Sequence, residues 1–113
     1  RENLRMPVDF ETFLYPMDGS AGRYRAKSND LSCGGISFYC DENFVAGIQL
    51  EVVIPITRIS PLLIPAEILR CKPEKGSTFY AAKFLDLLNE QESMIREAVF
   101  NVQLQTIQKL GRR

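Results

Sequence analysis

The 113-residue sequence contains no histidine, and this absence narrows the chemistry that the chain could perform. Histidine is the most common general base and a frequent zinc ligand, so its absence argues against a catalytic triad and a zinc centre. Cys33, Cys40 and Cys71 are odd in number and lack C-x-x-C spacing, which is typical of reduced thiols in a cytoplasmic protein. The sequence also lacks a P-loop. An enzyme is therefore the least favoured class, and we expect no catalytic residue, no metal and no cofactor.

The sequence also lacks a net charge, because 14 lysines and arginines balance 14 aspartates and glutamates. Without a global positive field we expect no DNA binding, and any anion must be held by a local cluster. A small barrel that binds single-stranded nucleic acid is a disfavoured alternative, because no basic groove with interleaved aromatic residues is visible. No apolar run reaches roughly 18 residues and no signal peptide is visible, so we expect no membrane insertion.

Between residues 8 and 86 short stretches of alternating apolar and polar residues are separated by turn residues. The first stretch places Val8, Phe10 and Leu14 on one face if it is extended. Glycine, proline and aspartate mark turns at 16–22 and 73–76. We predict strands at 8–14, 23–28, 36–40, 48–56, 62–71 and 78–85. Strands linked by turns, without intervening helices, favour an antiparallel sandwich or closed barrel.

After this region the apolar residues change to a helical period. Asn89 and Glu92 form the pattern of an N-cap with a capping box, and Gly111 follows the last apolar residue as a stop signal. We predict one helix over residues 89–110. Its apolar sector includes Phe100 and is broader than one stripe, so a homodimer or a partner surface on this helix is an open alternative.

The polar residues that could form a site lie in two short motifs. Arg1 and Arg5 form R-x-x-x-R, and after 24 further residues Asp30, Ser32 and Gly35 form D-x-S-x-x-G. In an extended chain Asp30 and Ser32 point the same way, and Gly35 has no Cβ to keep another group away. Taken alone, the second motif is more typical of a turn, and the two arginines of solvated charges.

In this order, and in a chain of this length, the two motifs resemble the PilZ domain, a widespread bacterial receptor for cyclic di-GMP. The resemblance extends over nearly the whole chain, because the later strands and the helix also suit that family. It implies a mainly β fold, a six-stranded antiparallel split barrel with a C-terminal helix near one end. It also implies a single domain at 1–113, with a ligand-clasping segment at 1–7, the barrel at 8–86 and the helix at 89–110.

The resemblance further implies how this ligand would be held. Arg1 and Arg5 would clasp the guanines and phosphates, because an arginine fork fits guanine O6 and N7 and its flat face can stack on a purine. Asp30 would accept hydrogen bonds from the N–H donors of guanine. Gly34 and Gly35 would let backbone N–H groups approach the ligand. The implied ligand-binding residues are Arg1, Arg5, Asp30, Ser32, Gly34 and Gly35.

Binding is expected to order the arginine segment and to change how the domain meets a neighbouring domain or protein partner. In this bacterial family the partners include the flagellar motor and the polysaccharide synthesis machinery, and the outputs include motility and biofilm formation. The helix, with its Phe100-x-x-Gln103 sequence, is most similar to PilZ domains of the flagellar-brake type. Those carry another β-rich domain before the arginine motif, so we expect a chain that starts at Arg1 to be a domain of a longer protein. The alternative is a PilZ-like protein interaction module that binds no nucleotide.

Overall fold

The computed structural model describes residues 5–55 and 61–111, with side chains described as far as residue 105. Within these ranges it contains seven strands and one helix. The strands are β1 (Met6–Pro7), β2 (Glu11–Pro16), β3 (Tyr24–Leu31), β4 (Gly35–Cys40), β5 (Gln49–Ile54), β6 (Leu62–Glu74) and β7 (Ser77–Phe84), and the helix is α1 (Asn89–Gly111).

The sheet closes on itself, and all of its described pairings are antiparallel. Along the sheet the strand order is β1-β3-β2-β5-β6-β7-β4, and β3 also pairs with β4. Strands β2 to β7 therefore form a closed six-stranded barrel, and β1 lies beside the end of β3 as a short addition. The predicted mainly β fold, a six-stranded antiparallel barrel followed by a helix, is confirmed.

The barrel interior is filled by the apolar residues that a period of two places on one face of each strand. Leu14, Phe38 and Ile64 are among the side chains with no exposed surface. A polar side chain on this face, Thr12, is satisfied because its hydroxyl donates to the carbonyl oxygen of Val53 at 2.6 Å. The core is thus continuous around the barrel and needs no unpaired polar atom among the described residues.

The first strand differs from its prediction, because residues 8–10 interrupt it. Pro7 has no N–H to donate to a ladder. Beyond it, the hydroxyl of Ser28 accepts from the N–H of Phe10 and donates to the carbonyl oxygen of Phe10, both at 2.8 Å. A side chain thereby replaces part of the backbone ladder. The inward face is as predicted, since Val8 and Phe10 pack against the core.

The hairpin between β6 and β7 is tighter than its prediction at 73–76. β6 continues through Pro73 and Glu74, so only Lys75 and Gly76 lie between the two strands. Gly76 has a φ of +88°, a conformation that glycine adopts without steric cost. The turn residues were therefore recognised, but two of them extend the paired strand.

Helix α1 begins at Asn89 as predicted, but its N-cap lies one residue earlier and only half of a capping box forms. The N–H of Leu88 donates to Oε1 of Gln91 at 3.0 Å. Leu88 is thus the N-cap position, and Gln91, not Glu92, satisfies its backbone donor. Glu92 instead forms an ion pair one turn along the helix with Arg96 at 3.0 Å.

One face of α1 packs against the barrel. Ile95, Ala98 and Val99 are buried, and their i, i+3, i+4 spacing places them on one side of the helix. Phe100 and Leu104 are 54% and 38% exposed, so part of the predicted apolar sector lies in water. Among the described residues, no helix is both long and apolar enough to cross a bilayer.

We predict that Ile95→Ala lowers the free energy of unfolding by about 2–5 kcal/mol, because it leaves a cavity between α1 and the barrel. Phe100→Ala is the matched control on the same helix and should change that free energy by no more than about 0.5 kcal/mol. Urea denaturation followed by circular dichroism measures both. Equal effects of the two substitutions would contradict this packing of α1.

Candidate functional site

Arg5 and Asp30 meet because the short strand β1 pairs with the end of β3. Met6 pairs with Leu31 and Pro7 pairs with Asp30, so the residue before β1 lies beside Asp30. Nη1 of Arg5 donates to Oδ1 of Asp30 at 2.9 Å, although 25 residues separate them in sequence. Their side chains are 56% and 26% exposed. One residue from each motif thus contributes to a single ion pair on the outer surface of the barrel.

Asp30 faces outward because β3 contains a bulge at Asn29. Ser28 and Asp30 pair with adjacent residues of β4, so Asn29 is an extra residue in its strand. Strict alternation from the buried Ser28 would turn Asp30 into the core. The bulge reverses the alternation, so that Leu31 is fully buried and Asp30 reaches solvent.

Ser37 of β4 fixes the position of this carboxylate. Its hydroxyl donates to Oδ1 of Asp30 at 2.7 Å and accepts from the backbone N–H of Asp30 at 3.2 Å. It also accepts from Nδ2 of Asn29 at 3.1 Å. The sequence analysis missed Ser37, although one signal was present. It is a polar residue between the apolar Ile36 and Phe38, so it lies on the opposite face of β4 from them, although it is itself buried.

Ser32 lies after β3, and its hydroxyl is turned into the β3–β4 connection. The N–H groups of Gly34 and Gly35 donate to this hydroxyl at 3.2 Å each, and the N–H of Ser32 donates to the carbonyl oxygen of Gly35 at 2.9 Å. Ser32 is buried, whereas Asp30 is partly exposed. The two side chains therefore do not point the same way, in contrast to the expectation for an extended chain, because the strand ends between them.

Gly35 lies where β4 approaches β7 closely. A Cβ at this position would overlap the carbonyl oxygen of Ala82. The N–H of Gly35 is already bound by Ser32, as described above. The packing of the barrel thus requires glycine here, and the partly exposed Gly34 is the glycine of the pair that lies nearer to solvent.

The structure brings the predicted site residues together at one end of β3, except for Arg1, which lies outside the described residues. The ion pair is exposed and contributes only about 0–1 kcal/mol, so its two members can exchange partners readily. The described ranges hold no cluster of three metal-ligating side chains. Burial raises the pKa of the Cys40 thiol, which makes it a poor nucleophile. This chemistry suits recognition of a ligand with both donors and negative charge.

Comparison with known families identifies the domain. The sequence model of the family described as the PilZ domain matches residues 1–101. The chain belongs to the PilZ domain family. The resemblance predicted from the two motifs is thereby confirmed. A comparison with curated protein sequences gave no match.

Solved PilZ structures share this fold at low sequence identity. The PilZ domain of YcgR from Escherichia coli has a TM-score of 0.79 and 14% identity, with 100% of this chain and 98% of that chain covered. The inhibitor of motility MotI (DgrA) from Bacillus subtilis has a TM-score of 0.77 and 17% identity, and the match covers 100% of this chain and 53% of MotI. The PilZ domain of CeSA from a cellulose-synthesizing bacterium has a TM-score of 0.68 and 20% identity, with coverages of 88% and 98%. This PilZ domain thus spans about half the length of MotI.

We predict that Gly35→Ala destabilises the PilZ domain by roughly 3 kcal/mol, because the added methyl group must push β4 away from β7. Gly19→Ala is the control. Gly19 has a φ of +92° but no atom within 4 Å of an added Cβ, so this change adds only backbone strain, about 1–2 kcal/mol. Denaturant midpoints compare the two variants. An unfolding midpoint for Gly35→Ala at or above that of Gly19→Ala would show that the close approach is not needed.

Proposed function

We propose that this PilZ domain is a non-catalytic receptor for cyclic di-GMP. The observation that carries the proposal is the contact at 2.9 Å between Arg5 and Asp30, which unites the two motifs on one accessible surface. An arginine and a carboxylate side by side complement the two kinds of group on guanine, its O6 and N7 acceptors and its N–H donors. A rigid strand supports the carboxylate, and the pairing of β1 with β3 places the arginine beside it.

Similar proteins support this choice of ligand. YcgR from Escherichia coli has been crystallised in complex with c-di-GMP, and the structure of a MrkH–c-di-GMP complex from K. pneumonia is also known. Their identities to this chain are 17% and 10%, so the likeness itself concerns the fold. The assignment of the same ligand to this chain therefore depends on the motif residues and their geometry.

In the proposed complex the ligand replaces the ion pair between Arg5 and Asp30. The Asp30 carboxylate stays bound to Ser37 and accepts from the guanine N–H donors. The guanidinium of Arg5 turns to a guanine edge or a phosphate, and Arg1 provides the second arginine of the clasp. Because the existing pair is weak and exposed, exchanging it for two charge-assisted contacts favours binding.

The remaining motif residues act by shaping the rim of the barrel, which is the connection between β3 and β4 at residues 32–34. Ser32 holds the turn through the N–H groups of Gly34 and Gly35, and Gly35 lets β4 lie close to β7. Gly34, at the partly exposed position, leaves room for the ligand beside the backbone. We further propose that binding changes the contact of this domain with a neighbouring domain or partner protein, in the control of motility or polysaccharide synthesis. The naming of MotI as an inhibitor of motility and the origin of CeSA in a cellulose-synthesizing bacterium support that direction.

Titration calorimetry with cyclic di-GMP tests the proposal. We predict that Arg5→Ala and Asp30→Asn each weaken low-micromolar binding roughly ten- to a hundredfold, because each removes a hydrogen bond to a charged group. Asp30→Asn keeps one oxygen that can accept from Ser37, so the fold should be preserved. The thermal unfolding midpoint of both variants should lie close to that of the wild type.

Arg23→Ala is the matched control for charge. Arg23 is an exposed arginine just before the other end of β3, stacked at 4.3 Å over the ring of Phe13. Its loss should leave the affinity unchanged. Unaltered affinity of both site variants would reject the residue assignment. Failure of the folded wild type to bind would reject the receptor function and favour an interaction module without nucleotide.

A further inference from the structure

A second bulge, at Leu69 of β6, turns another charged side chain to the outer surface of the barrel. Ile68 pairs with Ala82 and Arg70 pairs with Ala81, so Leu69 is the extra residue. Without it, the alternation that buries Ile68 would place Arg70 in the core as well. Leu69 itself is 52% exposed. A bulge that leaves a leucine in water and re-aims an arginine is a feature that calls for a functional explanation.

Arg70 lies in the same row of the barrel wall as Asp30. Asp30 pairs with Ser37 of β4, Ser37 pairs with Ala81 of β7, and Ala81 pairs with Arg70. Paired residues share a face of the sheet, so all four lie on the outer face of the barrel, where Ser37 and Ala81 are buried and Asp30 and Arg70 reach solvent. At a strand spacing of about 4.8 Å, Asp30 and Arg70 are roughly 14 Å apart. Between these two charged ends, the row contains only small side chains.

The next row of the same face is basic and aromatic. Lys27, Tyr39, Phe79 and Lys72 are paired in this order across β3, β4, β7 and β6. The rings of Tyr39 and Phe79 meet edge to face, with centroids 5.4 Å apart. A concavity of about 420 Å³ opens beside them. It is lined by Tyr39, Arg70, Lys72, Glu74 and Phe79.

The charges on this face are unevenly balanced. The charge of Arg5 is matched by Asp30, so that end of the row is neutral before a ligand arrives. Arg70 and Lys72 form no ion pair with another described residue, and Glu74 brings one opposing charge to the concavity. Even with Arg1 counted beside Arg5, the opposing Asp30 leaves one net positive charge against the two negative charges of the ligand, so the ligand needs further positive charge. The side of the face around Arg70 can supply it.

We propose that Arg70 and Lys72, with the Tyr39–Phe79 pair, hold the half of the cyclic dinucleotide that lies away from Arg5 and Asp30. This inference rests on the proposed function. The planar fork of Arg70 fits a phosphate or a guanine edge, and Lys72 provides a point charge for a phosphate. An aromatic ring face beside them can stack on a base. The binding surface then extends across four strands instead of ending at the β3–β4 rim.

Calorimetric titration of cyclic di-GMP into Arg70→Gln tests this extension. We predict a roughly tenfold or greater loss of affinity, from the loss of a charge-assisted contact, and a weaker dependence of affinity on salt. Arg23→Gln removes the same charge just before the other end of β3 and should bind like the wild type. Because Arg70 is exposed, both variants should unfold at the wild-type temperature.

A second measurement locates the ligand independently of affinity. In NMR titrations the ring resonances of Tyr39 and Phe79 should shift when the wild type binds, and those shifts should be smaller in Arg70→Gln. Wild-type affinity of Arg70→Gln, or unshifted rings, combined with lost binding in Arg5→Ala, would overturn this inference and leave the proposed function intact. A folded wild type that does not bind cyclic di-GMP would overturn both.

Discussion

The bulge at Asn29 is the constraint on which the proposed site depends. In a strand that is buried on one face, the register decides which side chains face the core, because a shift of one residue turns every side chain to the other face. One extra residue in β3 lets Leu31 fill the barrel while Asp30 reaches the surface. Ser37 then holds the carboxylate from the neighbouring strand, and β1 brings Arg5 to it. A core position and a surface position are thereby separated within two consecutive residues.

The motif residues divide into two roles. Arg5 and Asp30 offer exposed, charged groups, while Ser32 and Gly35 are buried and serve the connection between β3 and β4. This division explains why a short motif can require particular residue types at its positions. A hydroxyl must satisfy two backbone donors in the turn, and a missing Cβ must admit the carbonyl oxygen of Ala82. Such residues would affect a ligand only through the shape of the rim.

Much of the fold follows from the sequence, because alternation of apolar residues reports which side of each strand is buried. It predicted the succession of strands and the terminal helix, and the motifs pointed to the family. The bulges at Asn29 and Leu69 escaped prediction, since each is defined by the residues opposite it on strands distant in sequence. For the same reason Ser37 was missed, because its importance depends on pairing with Asp30. The need for glycine at position 35 arises from β7, far along the chain.

The measurement that tests the central claim most directly is a structure of this domain crystallised with cyclic di-GMP. The account predicts a guanine against the Asp30 carboxylate, which stays bound to Ser37, with the bulge at Asn29 preserved. It also predicts that the Arg5 guanidinium has left Asp30 and contacts the ligand. A ligand bound at another surface, with the ion pair between Arg5 and Asp30 intact, would contradict the account.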